Sequence, residues 1–186
     1  MSRLGFARAF ATHHREPTLV SALQAAFGEQ HVAWAAFTVV GAQSPDWMLQ
    51  HLMEGTRFDL SPLFLSDAFR AAVPALAHRI DPDRTGNFDQ LNAYALSGSL
   101  AEALAAGGER RSSRPAARDA HVLALDFVEE LLGARFADAF VLYSRAAWST
   151  WFSSDVWDRT WIVADCAAGH LWLLSVTDGP PPRRRH

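Results

Sequence analysis

Three apolar runs close the chain: AFVLYS (139–144), TWIVAD (160–165) and LWLLSVT (171–177). Each is short, rich in Val, Ile, Thr and aromatic residues, and bounded by turn-forming Asp, Ser or Gly, which is the pattern of β-strands. Ala167-Ala168-Gly169-His170 links the last two as a short hairpin connection. Five of the seven tryptophans fall in this stretch: Trp148, Trp151, Trp157, Trp161 and Trp172. The reading is a three-stranded antiparallel meander.

Upstream, VAWAAFTVV (32–40) is apolar on both faces and ends at Gly41, so it is expected to be a buried strand joining the same sheet as a fourth member. Most of the rest is helical. Leu19, Ala22, Leu23, Ala26 and Phe27 make an amphipathic stripe stopped by Gly28. Ser44-Pro45-Asp46 starts a helix presenting Trp47, Met48, Leu52 and Met53. Ser66-Asp67 opens another through Phe69, Val73, Leu76, Ala77 and Ile80, which Pro74 must kink or break. Residues 91–108 read as helix, interrupted or re-capped at Ser97-Gly98-Ser99. The clearest helix precedes the meander. Val122, Leu125, Val128 (or Glu129) and Leu132 repeat on one stripe, widened by Leu123, Phe127 and Leu131 and ended by Gly133.

Helices first and strands last predict an α+β fold, with N-terminal helices packed on one face of a small antiparallel sheet formed mainly by the C-terminal meander. Forty residues of meander need that cover to be stable. The expected organisation is a basic N-terminal extension (1–16), a single α+β domain (17–178) and a disordered basic tail (179–186) with nothing to pack.

Composition narrows the function classes. At 186 residues with 49% apolar and 20% charged residues, the chain can bury a proper core. There is no lysine, so a Schiff-base lysine and a P-loop lysine are excluded. A single cysteine, Cys166, excludes an intrachain disulfide and favours a reducing, cytoplasmic setting. At the end of a strand, Cys166 reads as a small buried hydrophobe rather than a nucleophile. No apolar run reaches the roughly 18 residues of a membrane span. The opening carries Arg3, Arg8 and Arg15 among Leu4, Phe6 and Phe10, which suits either a presequence or an ordinary basic amphipathic start. With +2 in residues 1–16 and +3 in the tail, the net charge of −3 leaves −8 on the body. An acidic body speaks against nucleic acid and for a basic protein partner, although charge of that size also simply aids solubility.

Two stretches carry candidate chemistry. DPDRTGNFDQLN (81–92) places Asp81, Asp83 and Thr85 at positions 1, 3 and 5 of a twelve-residue calcium loop. Gly86 falls at 6, Asn87 at 7, Phe88 at 8 and Asp89 at 9, and in this the stretch resembles an EF-hand. The resemblance implies Ca²⁺ binding, but Asn92 replaces the bidentate Glu at position 12 and no second loop is present. The other stretch is the meander's turns, where Trp151, Asp155, Trp157 and Asp158 alternate aromatic rings with carboxylates. That combination suits a cationic protein partner. Asp158 and Asp178 with His170 offer the alternative of a small hydrolase or transferase site between helices and sheet. No HExxH, G-x-S-x-G, GxGxxG or P-loop pattern occurs.

Finally, Trp157-Asp158, Thr160-Trp161 and residues 173–178 (LLSVTD) resemble the closing hairpin of small, mostly uncharacterised bacterial proteins, some of them immunity-type partners of toxins. The resemblance implies a non-enzymatic protein inhibitor. It covers only the C-terminal hairpin.

Overall fold

The computed structural model describes residues 5–8, 16–41, 44–54, 57–85, 87–107, 114–153 and 157–178. The expected tail, and the N-terminal extension apart from residues 5–8 and 16, lie outside the described residues. The elements run β1 (Gly5–Arg8), α1 (Thr18–Phe27), β2 (Val32–Val40), α2 (Pro45–Leu52), β3 (Met53–Glu54), β4 (Arg57–Phe58), α3 (Ser61–Phe64) and α4 (Asp67–Ala72). They continue β5 (Asp89–Leu91), α5 (Leu96–Ala106), α6 (Ala117–Leu132), β6 (Ala139–Ser144), β7 (Arg159–Asp165) and β8 (His170–Val176).

The fold is α+β, as expected. β6, β7 and β8 form the predicted antiparallel meander, and β2 adds to β8 with Val32 opposite Val176 and Thr38 opposite His170. Two short strands extend this sheet to six in the order β1-β2-β8-β7-β6-β5. Neither edge strand was legible. Residues 5–8 belong to the basic opening and pair with β2, while β5 borrows part of the calcium-like stretch.

The cover lies on both faces rather than one. Side chains alternate along each strand, so Trp161, Val163, Leu174 and Val176 pack under α1, α5 and α6. Ile162, Leu171, Leu173 and Phe37 pack under α2, α3, α4 and the segment around Trp148. Every residue of β7 is therefore buried, and a two-faced strand reads as an unbroken apolar run. Trp148 anchors the second face, fully buried and stacked on Phe64 at 4.6 Å. Trp161 is buried in the first, as expected of a core residue, while Trp172 packs against that core only partly buried.

Local rules explain most boundaries. α4 stops at Ala72, two residues before Pro74, because the residue preceding proline disfavours helical geometry. α1 and α6 end at Gly28 and Gly133, whose φ values of 103° and 52° suit glycine. A 3₁₀ turn (Ala93–Ala95) gives way to α5 at Leu96, so Ser97-Gly98-Ser99 forms the first turn of that helix, next to the expected interruption. Leu96 and Leu100, both fully buried, hold that turn down. Burying a leucine contributes roughly 1.5–3 kcal/mol, against about 1 kcal/mol lost to a helical glycine.

Candidate functional site

The expected Trp- and Asp-bordered surface is not on display. Trp151 is only 9% exposed, and its Nε1 donates to the Gln30 carbonyl at 3.2 Å. Asp158 is 1% exposed and accepts from Thr177 Oγ1 at 2.6 Å, with Ser153 Oγ at 3.5 Å. Trp157 is half-buried against the core, and Asp155 lies outside the described residues. The register explains the correction. Arg159 sits opposite Val176, which places Asp158 beside Thr177 and inside the sheet's end rather than on an open turn.

Two polar constellations result, one on each face. On the face of Trp148, Thr160 and Ser175 hydroxyls meet at 3.0 Å, and Trp148 Nε1 donates to Thr160 at 3.0 Å. Asp158 and Thr177 continue this ladder across β7 and the end of β8. On the other face Arg159, its side chain 1% exposed, reaches α5 and donates from both terminal nitrogens to Glu102, at 3.0 and 3.2 Å. The Trp157 ring lies 5.3 Å from its guanidinium carbon, within cation–π range. The Arg159 hydrogen bond holds the Glu102 carboxyl below the usual carboxylate range. Each of these groups faces other parts of the same chain. They fasten the fold.

The hydrolase arrangement does not assemble. His170 opens β8 opposite Asp165, while Asp158 and Asp178 lie past the other end of the hairpin, roughly 20 Å away at the rise of a strand. Cys166 is buried, and burial, with Asp165 and Asp138 nearby, pushes its thiol up to about 11, so thiolate is disfavoured at neutral pH.

Three of the five calcium-like ligands, Asp81, Thr85 and Asn87, are engaged elsewhere, and Asp83 and Asp89 are exposed. Asp81 Oδ1 accepts from the Asp83 backbone at 3.1 Å, and Asp81 Oδ2 lies 3.3 Å from Arg84 Nε. Thr85 Oγ1 donates to the Pro82 carbonyl, and the Asn87 carbonyl accepts from Ser144 Oγ at 2.6 Å. Asp89 belongs to β5, not to an exiting helix, and Gly86 is outside the described residues. Among the described residues no cluster of three or more His, Cys, Asp or Glu could hold a metal ion. The stretch is a turn built from Asx and hydroxyl bonds.

Among the described residues the large hydrophobic side chains on display are Leu65, Val40 and Tyr94, each on a different segment, and a pair one turn apart on α6. Val122 is 47% exposed and Leu125 is 46% exposed. The core face of α6 is instead Ala120, Ala124, Phe127, Val128, Leu131 and Leu132. At 100° per residue, Arg118, Val122, Leu125 and Glu129 fall within about 60° of one another, forming an outward ridge. Asp119, Asp126 and Glu130 are exposed beside it. Sequence reading put Val122 and Leu125 in the core because leucine and valine outrank alanine as core residues. The alanines were the better guide, since α5 is also alanine-rich and small residues let two helices approach closely.

A second exposed feature is Tyr94, 72% exposed and stacked on Phe136 at 5.1 Å with 12° between the ring planes. No pattern in the sequence singles out this pair, because α5 and α6 lie between its members. Among the described residues no helix is long and apolar enough to cross a membrane. Comparisons with protein-family models, with curated proteins and with solved structures find no significant match.

Proposed function

We propose that this chain acts by binding a basic protein partner through the outer face of α6, in the manner of an immunity-type inhibitor. The observation that carries this reading is the Val122–Leu125 pair, held half in water on a helix whose opposite face is fully used by the core. Asp119, Asp126, Glu129 and Glu130 border it, with Arg118 the opposing charge on the ridge. An apolar centre inside a charged rim is the common anatomy of a protein contact, and the acidic rim favours a basic partner both in encounter and in register. The −8 body charge supports the same sign of partner. The hydrolase alternative has no corresponding support, because its three residues do not converge.

The test is site-specific photocrosslinking. A benzophenone amino acid at position 122 should link one basic protein, to be identified by mass spectrometry and then purified. The reconstituted complex should form with the parent chain and weaken at least tenfold with Val122→Arg/Leu125→Arg. Equal binding by that double variant, or no crosslinked protein, overturns the reading.

A further inference from the structure

We propose that Tyr94 and Phe136 form a platform that takes an arginine side chain of a protein partner on the open face of the Tyr94 ring. This extends the basic-partner reading to a second surface, and its test does not depend on finding that partner.

The platform is rigid from both sides. Tyr94 sits on a turn closed by Asn92, whose Oδ1 accepts from the Tyr94 backbone at 2.9 Å and whose carbonyl accepts from Ala95 at 2.8 Å. Phe136 opens a second turn, Phe136–Asp138, that lies against the first. This turn is tied to the sheet where Cys166 donates to the Asp138 carbonyl at 3.0 Å. Phe136 packs on the core and fills one face of the tyrosine, so Tyr94's 72% exposure leaves its other face open.

Charge decides what fits that face. The exposed Asp138 carboxylate belongs to the same turn as Phe136. Arg135, the cation leading into the turn, is taken up by Asp165 at 2.7 Å and by the Leu131 carbonyl at 3.1 Å. The turn beside Tyr94 therefore carries one exposed carboxylate, Asp138, next to a cation already paired. A π-face is itself electron-rich, and a planar guanidinium can stack on it while its edge meets a carboxylate. An ammonium ion matches the charge but not the shape.

The test titrates the intact chain with three short peptides, acetyl-Gly-Arg-Gly-amide and its lysine and citrulline counterparts, and follows the ring resonances of Tyr94 and Phe136 by NMR. The arginine peptide should shift both rings, the lysine peptide less, and the neutral citrulline peptide not at all. Read at the Phe136 ring, Tyr94→Phe should keep the response, whereas Tyr94→Leu should weaken it by roughly two- to five-fold. Val122→Arg/Leu125→Arg should leave it unchanged, which separates this site from α6. Equal response by Tyr94→Leu, or citrulline shifting the rings as strongly as arginine, overturns the proposal.

Discussion

The end of the β7–β8 hairpin and the outer face of α6 break the usual partition of residues in opposite directions. The hairpin buries Asp158, Arg159, Thr160, Ser175 and Thr177, each at most 2% exposed, while α6 leaves a valine and a leucine nearly half in water. Buried polar groups have named partners within the chain: Thr177 for Asp158, Glu102 for Arg159, Ser175 and Trp148 for Thr160. Among the described residues the α6 pair stays nearly half exposed. Internal pairing accounts for the buried polar residues by stability; the exposed hydrocarbon of α6 adds little to the core and is the surface proposed above for a partner.

That contrast predicts where substitutions act. The largest effect should come from Asp158→Ala, which removes the buried hydrogen bond from Thr177 and leaves a small void. The expected loss is about 3 kcal/mol, read as a lower urea midpoint at unchanged slope. A loss below about 1 kcal/mol would mean that Asp158 is not a structural residue and would reopen its role in binding. Next comes Thr160→Val. It keeps the shape but strands Trp148 Nε1 and the Ser175 hydroxyl, at a cost of about 2 kcal/mol. Indole emission should change as well, because Trp148 loses its acceptor.

Glu102→Gln should cost less, because Glu102 is 57% exposed and water screens much of the pair. Its signature is in pH. The folded-state pKa of Glu102 lies below the ordinary 4.5, chiefly through the Arg159 hydrogen bond. The ion pair's contribution is therefore complete above that ordinary value and is lost as pH falls through the lowered one. The stability gap between the parent and Glu102→Gln should be widest at neutral pH and close in acid. A gap that stays constant with pH would show that the carboxylate charge is not what holds Arg159.

Much of this architecture was legible beforehand. The meander, the Val32–Val40 strand and the two best helices followed from periodicity, because two-faced burial and amphipathic stripes leave plain patterns. The two edge strands did not, being only four and three residues long; pairing creates them more than propensity does. The burial of Trp151 and Asp158 was missed for a related reason. Asp158 and Trp151 look like exposed turn residues until the register of β7 against β8 is known, and one residue of register changes the face. Val122 and Leu125 look like core until the alanine faces of α5 and α6 are seen to meet. Both errors concern which way a side chain points, a tertiary property that local pattern constrains weakly.

The smallest effect, and the sharpest test of the contrast, is Leu125→Ala. In β8 the equivalent change, Leu173→Ala, removes a side chain that is 0% exposed and should cost about 2–5 kcal/mol through lost burial and a residual cavity. At Leu125 the side chain is already half in water, alanine is the better helix former, and no cavity can form. The expected change in folding stability is within about 0.5 kcal/mol, measured in the same urea titration. If Leu125→Ala instead destabilises like Leu173→Ala, the α6 ridge is covered by the chain's own residues and cannot be a docking face. If stability holds while binding of the crosslinked partner falls, the exposed pair is spent on recognition and not on the fold.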